Sequence, residues 1–130
     1  MQILGYACIN MGLSEQPKNK RVTTNRTMIK RTFKQRGIAY ASELALQNVK
    51  DLRTILKWNF DNDIHFYRMS SNMFPWASEY ELSDMPDYEQ ISEELAKAGE
   101  FARSVGQRLT THPGPFNKLT SPKVLFFFFF

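Results

Sequence analysis

The sequence predicts an α/β fold with a parallel sheet, and three observations carry that prediction. Three short, mostly apolar runs have strand character, and two long segments between them have helical periodicity. The order is strand, helix, strand, helix, strand, an alternation that favours parallel strands joined by right-handed crossovers. Polar or turn-forming residues follow each run. About three βα units fall well short of a closed (β/α)8 barrel, which takes about 250 residues. A small open sheet and an incomplete barrel both remain open at this point.

The first run, Ile3-Leu4-Gly5-Tyr6-Ala7-Cys8-Ile9, ends in polar Asn10 and reads as a buried strand. A stretch rich in Thr, Asn and Lys follows, with Pro17 near its start, and reads as a long loop with room for a helical turn. The first helix is expected from about Ser42 to Phe60. Ala45, Val49, Leu52 and Leu56 fall on one stripe of a 3.6-residue period, with Asn48 and Lys57 outside it. Ser42 is placed to cap that helix. Ile64 to Ser70 is a short aromatic strand, with His65 near its start as a structural residue. Residues 71–86 are irregular, broken by Pro75 and Pro86. The second helix is expected from Asp87, whose carboxylate can cap it while Gln90 reaches back. Ile91, Leu95, Ala98, Ala102 and Val105 form its stripe, and Gly106 ends it. Gln107 to His112 reads as the third strand, leading into the turn Pro113-Gly114-Pro115.

Composition narrows the classes. Hydrophobic content of 42% and charged content of 23% exclude global disorder and collagen. One cysteine, Cys8, excludes an intrachain disulfide framework and a multi-cysteine zinc finger. No apolar run approaches the ~18 residues of a spanning helix, and the N-terminus lacks the pattern of a secretory signal. A cytoplasmic or nucleoid-associated intracellular protein, with no membrane contact, is the expectation. Lys and Arg number 17 and Asp and Glu 13, giving a net charge of +4. Between Glu15 and Glu43 there is no acidic residue, whereas Lys18, Lys20, Arg21, Arg26, Lys30, Arg31, Lys34 and Arg36 are basic. Such a block suggests an anionic partner with a phosphate backbone, the alternative being a solvated loop.

The polar candidates share one end of the strands. Asn10 follows the first, Ser70 and Ser71 end the second, and His112 ends the third. In parallel α/β folds chemistry gathers beyond the carboxyl ends of the strands. Residues 1–123 read as one domain. Residues 124–130, Val124 and Leu125 followed by Phe126 to Phe130, read as an aberrant tail and an aggregation hazard, as a shifted or truncated reading frame would produce.

Four segments together resemble the UV damage endonucleases. They are Gly5-Tyr6-Ala7-Cys8-Ile9-Asn10; Thr23-Thr24-Asn25-Arg26-Thr27; Tyr67-Arg68-Met69-Ser70-Ser71 with Phe74-Pro75-Trp76-Ala77-Ser78; and Arg108-Leu109-Thr110-Thr111-His112-Pro113-Gly114. The resemblance runs from Ile3 to Pro122, in order and at the expected spacings. It implies a partial TIM barrel, the N-terminal three units of a DNA repair endonuclease. It also implies nicking of UV-damaged double-stranded DNA 5′ to cyclobutane dimers and 6-4 photoproducts with a divalent metal, typically manganese, and no obligate protein partner. His112 matches the family's metal-binding histidine, an imidazole at a strand end before a Pro-Gly turn. Glu79 stands where many members carry a second metal-binding histidine, and a carboxylate also ligates manganese.

Tyr6 and Asn10 match positions that the family places at its substrate face, where a ring can stack on a base and an amide can hydrogen-bond it. Tyr6 is equally readable as a core aromatic. Arg26 can pair with a DNA phosphate or brace its own loop. Pro115 and Phe116 replace the family's Gln and aromatic, the pair that wedges into DNA at the lesion. Phe116 retains an apolar wedge, whereas Pro115 lacks the amide's hydrogen bonds. The family's later ligands lie beyond Phe130, so the resemblance implies a chain that is inactive alone. The competing readings are another metal-dependent barrel enzyme, such as an apurinic endonuclease or sugar isomerase, and a non-catalytic nucleic-acid-binding module.

Overall fold

The computed structural model describes residues 4–70 and 72–111, and the structural statements below concern these residues. The elements are β1 (Gly5–Ala7), α1 (Met11–Ser14), α2 (Lys30–Asp61), β2 (Phe66–Met69), 3-10 turns at Ala77–Glu79 and Leu82–Asp84, α3 (Tyr88–Ser104) and β3 (Arg108–Thr111). The expected strands, helices and their order are therefore present. β1, expected as a buried strand, is instead largely exposed, with flanking Leu4 61% and Ile9 44% exposed, because only one face of the sheet is packed by helices among the described residues. The sheet order is β1-β2-β3 and both pairings are parallel, with Tyr6 opposite Tyr67 and Tyr67 opposite Leu109. The core joins Val49, Leu52, Ile55 and Leu56 of α2 and Ile91, Leu95 and Ala98 of α3 to Tyr67 and Met69 of β2. Both long helices thus cover one face of the sheet. Consecutive strand order with one-sided helices is the winding of a (β/α)8 barrel, because a doubly wound sheet carries helices on both faces. Of the two architectures open to the sequence, the incomplete barrel is the one formed.

Several local features differ from expectation, each for a physical reason. α2 begins at Lys30, twelve residues before Ser42, and bends at Gly37 (φ 69°, ψ −159°). Only glycine adopts that backbone without strain, so a polar, basic piece of helix precedes the amphipathic one. Ser42 is consequently buried inside the helix and caps nothing there. Its Oγ donates to Asp87 Oδ2 at 2.8 Å and accepts from the Asp87 backbone N–H at 3.0 Å. Asp87 is the N-cap residue of α3 by position, but its side chain makes no capping bond. That carboxylate joins the two helices instead.

α3 ends as the sequence indicates. Gly106 (φ 69°) follows its last turn, with Gly106 N–H donating to Arg103 O at 3.3 Å and Gln107 N–H to Ala102 O at 2.9 Å. These are the two bonds of a Schellman motif. Between β1 and β2 the backbones run very close. A Cβ at Gly5 would lie 2.7 Å from Phe66 Cβ and 2.8 Å from its carbonyl oxygen, so only glycine fits. No helix among the described residues is long and apolar enough to cross a membrane.

Candidate functional site

The carboxyl ends of all three strands lie along one edge, and the loops leaving it are cross-linked. β1 stops at Cys8, whose φ of 64° forms a γ-turn with Ile9 N–H donating to Ala7 O at 2.8 Å. The buried Tyr67 hydroxyl donates to Cys8 O at 2.6 Å, which fixes this strained turn. The next polar residue, Asn10, is buried. Its Oδ1 accepts from Leu13 N–H at 3.0 Å, capping α1, and its Nδ2 donates to the Tyr6 hydroxyl at 3.0 Å.

That hydrogen bond is the first of a relay running beneath the sheet. Tyr6 OH donates to Asn59 Oδ1, Asn59 Nδ2 to Gln107 Oε1 at 2.9 Å, and Gln107 Nε2 to Leu56 O at 3.1 Å. Tyr6 shares the helix-packed face with Tyr67, their ring centroids 5.0 Å apart. Burial raises the pKa of the Tyr6 hydroxyl, and hydrogen bonds with Asn10 and Asn59 offset part of that. Burial raises Tyr67 and Tyr80 as well. At neutral pH these hydroxyls stay protonated, so they orient neighbours and do not act as bases.

A second cluster holds the loop between α1 and α2. Arg26 pairs with Asp51, and its guanidinium donates from Nη1 to Thr23 O at 2.6 Å and from Nη2 to Arg21 O at 2.7 Å. Asp51 Oδ2 also accepts from Thr23 N–H at 3.1 Å. Asn48 binds both backbone groups of Arg26, accepting from its N–H at 3.0 Å and donating to its carbonyl at 3.1 Å. The same Nδ2 donates to Met73 O at 3.0 Å, tying this loop to the one after β2. In that second loop Trp76 (φ 59°) donates from Nε1 to Met28 O at 3.0 Å and stacks on Phe33, centroids 5.4 Å apart.

Of the expected site residues, Tyr6 and Asn10 are brought together, facing α1 and α2. Arg26 braces its own loop through Asp51 and two carbonyls, while its side chain stays 22% exposed. Glu79 is exposed on the 3-10 turn, 3.5 Å from Ser78 Oγ. His112, Pro115, Phe116, Ser71 and the tail 124–130 lie outside the described residues. His65 is exposed at the opposite end of β2, where its backbone bonds to Leu4 O at 3.2 Å and accepts from Arg108 N–H at 2.7 Å. Among the described residues no three His, Cys, Asp or Glu side chains stand close enough to hold a metal ion. That part of the chain therefore does not fit a metal cluster by itself. Sequence reading missed Asn48, Asp51, Asn59 and Gln107. No local signal marks them, because the partners they bind across the fold lie 22 to 53 residues away in sequence.

Comparisons with known proteins agree with this geometry in fold. The family model described as UV-endonuclease UvdE matches residues 2–126. A UV-damage endonuclease of Schizosaccharomyces pombe is 36% identical over 120 residues, covering 92% of this chain and 19% of that protein. A UV-damage endonuclease of Neurospora crassa is 44% identical over 91 residues, 67% of this chain and 13% of that protein. The chain thus spans a fifth or less of the length of these two relatives. The solved structure titled Crystal Structure of SacUVDE superposes with a TM-score of 0.70 at 23% identity, over 99% of this chain and 41% of that one. The likeness supports the fold, a partial TIM barrel.

Proposed function

The chain belongs to the UV-endonuclease UvdE family, and from that premise we propose that it forms three βα units of a DNA repair endonuclease acting on UV-damaged double-stranded DNA. In this reading the enzyme nicks 5′ to cyclobutane dimers and 6-4 photoproducts. One observation supports it most. Three parallel strands end along one edge, and β3 finishes at Thr111, the residue before His112. Active sites of barrel enzymes are assembled at that edge from several strands.

This chain's own residues contribute shape and charge. Tyr6, Asn10 and Tyr67 hold the end of β1, and Asn48 fastens the two loops that border it. Arg26, Pro115 and Phe116 are the further candidate DNA contacts. The divalent metal, manganese by expectation, belongs to the assembled barrel, with His112 and Glu79 as this chain's candidate donors. The 130-residue chain alone is expected not to nick, because the active site of a barrel enzyme draws residues from the ends of several strands and three units supply only part of them.

A chimera tests this. The matching segment of the Schizosaccharomyces pombe relative is replaced by this chain, and nicking of UV-irradiated plasmid is measured in manganese buffer. The chimera is expected to nick irradiated plasmid in preference to untreated plasmid, and its His112→Ala form to lose at least ~100-fold in rate, the size typical of a disturbed metal site. Equal nicking of untreated plasmid, or full activity after His112→Ala, overturns the reading.

A further inference from the structure

We propose that the segment between α1 and the bend of α2 carries a cleft for the phosphate backbone of undamaged duplex DNA flanking a lesion. The inference rests on the endonuclease reading and adds to it a contact that recognises no lesion. The cleft is open, about 650 Å³, and bordered by Lys18, Arg21, Thr23, Asn25, Arg26 and Tyr40.

Charge is the first argument. Of the eight basic residues in the acid-free stretch, Arg26 pairs with Asp51 and Arg36 approaches Glu43 at 3.8 Å. Lys18, Lys20, Arg21, Lys30, Arg31 and Lys34 are exposed and have no ion pair among the described residues. Six like charges repel one another when held close, and counter-charge relieves that repulsion.

Rigidity is the second argument. A solvated loop needs no anchoring, yet this one is held at Arg26 by Asp51, by both polar atoms of Asn48 and by two of its own carbonyls. The bracing fixes the Arg26 guanidinium and the backbone that carries Arg21, which lowers the entropic cost of binding. Asn25 borders the cleft as a residue, while its Oδ1 is buried and without a hydrogen-bond partner among the described residues. A free anion would need only the cleft. The exposed charges are not confined to the cleft, since Lys30, Arg31 and Lys34 at the start of α2 belong to the same acid-free stretch, more cations than one small anion needs.

The test measures binding of the full chain to a short undamaged duplex by fluorescence anisotropy across a salt series. Lys18→Gln/Arg21→Gln is compared with Lys50→Gln/Lys57→Gln, which removes the same charge from exposed positions of α2 outside the cleft. The slope of log affinity against log salt is expected to flatten by about 1.8 in the first pair, at ~0.9 for each phosphate left without its cation. The second pair is expected to keep the parental slope. Lys18→Gln alone gives about half the change and repeats the test should the double variant lose its helical circular dichroism.

Equal slopes in all proteins, or equal flattening by both pairs, overturns the proposal. So does binding of inorganic phosphate or a nucleoside monophosphate that the cleft pair abolishes while duplex binding is unchanged. A chimera that fails to nick while the slope difference persists counts against the endonuclease reading and leaves the cleft standing.

Discussion

The three strands turn one face to α2 and α3 and leave the other uncovered, and the residues on the two faces differ accordingly. On the packed face Tyr67 and Met69 are 0% and 2% exposed and meet the leucines and isoleucines of both helices. Tyr6, at its border, reaches Asn59 through its hydroxyl. On the other face Gly5, Ala7, Phe66, Arg68 and Arg108 border an open cleft of about 640 Å³. A soluble surface seldom sets an aromatic ring beside a glycine chosen for close approach, and a core seldom holds two arginines. Such a mixture is what the inside of a barrel shows when seen from three of its strands. The packed face therefore holds these units together, and the other face, among the described residues, is an open cleft.

The comparison breaks most sharply at Leu52. This side chain is fully buried between α2 and the sheet. Leu52→Ala is expected to destabilise the chain by about 2–5 kcal/mol, through the transfer energy of the missing atoms and the cavity left behind. Urea unfolding followed by circular dichroism measures it. A cost below ~1 kcal/mol would mean that the packed face is not the seat of stability.

Gly5 probes the other face at a smaller scale. Its missing Cβ is the space that Phe66 occupies. Gly5→Ala is expected to cost about 1–3 kcal/mol, because a methyl group there pushes against side chain and backbone together. The same unfolding assay reads it. If Gly5→Ala is neutral, β1 and β2 are free to separate, and the uncovered face has no fixed shape for a partner to meet.

What could be read in advance follows the same division. Ala45, Val49, Leu52 and Leu56 were legible as a stripe, and all four are 0% exposed, because burial of an apolar face leaves a 3.6-residue period. The start of α2 was not legible. Lys30 to Arg36 has no such stripe, and Gly37 reads as a terminator although the helix continues past it in a new direction. Asn48 was placed outside the apolar stripe, because an amide carries no periodic signature. Its partners are Arg26, 22 residues away, and Met73, 25 away. Asn59 and Gln107 were hidden in the same way, since 48 residues separate the two ends of their bond. Short-range pattern finds the faces of elements; polar pairs that close between distant elements leave no local trace. Tyr6 and Asn10 were named together only through the family resemblance, and neither their hydrogen bond to each other nor their other partners were legible.

The finest contrast concerns a single hydroxyl on the packed face. Tyr67 OH donates to Cys8 O from a buried position, and burial raises its pKa above the ordinary phenol range. A raised folded-state pKa means that the native chain holds this proton more tightly than the unfolded chain. Its contribution is therefore complete below about pH 10, the unfolded value, and is lost as pH rises toward the folded one. Stability is expected to decline above about pH 10. Tyr67→Phe should cost about 1 kcal/mol at neutral pH, the net worth of one hydrogen bond. It should also make the alkaline decline shallower without abolishing it, because Tyr6 and Tyr80 are shifted in the same direction. Urea midpoints collected between about pH 8 and 11 separate these effects. An unchanged alkaline slope in Tyr67→Phe would show that this hydroxyl meets water in the native state, and the packed face would then differ less from the open one than its burial indicates.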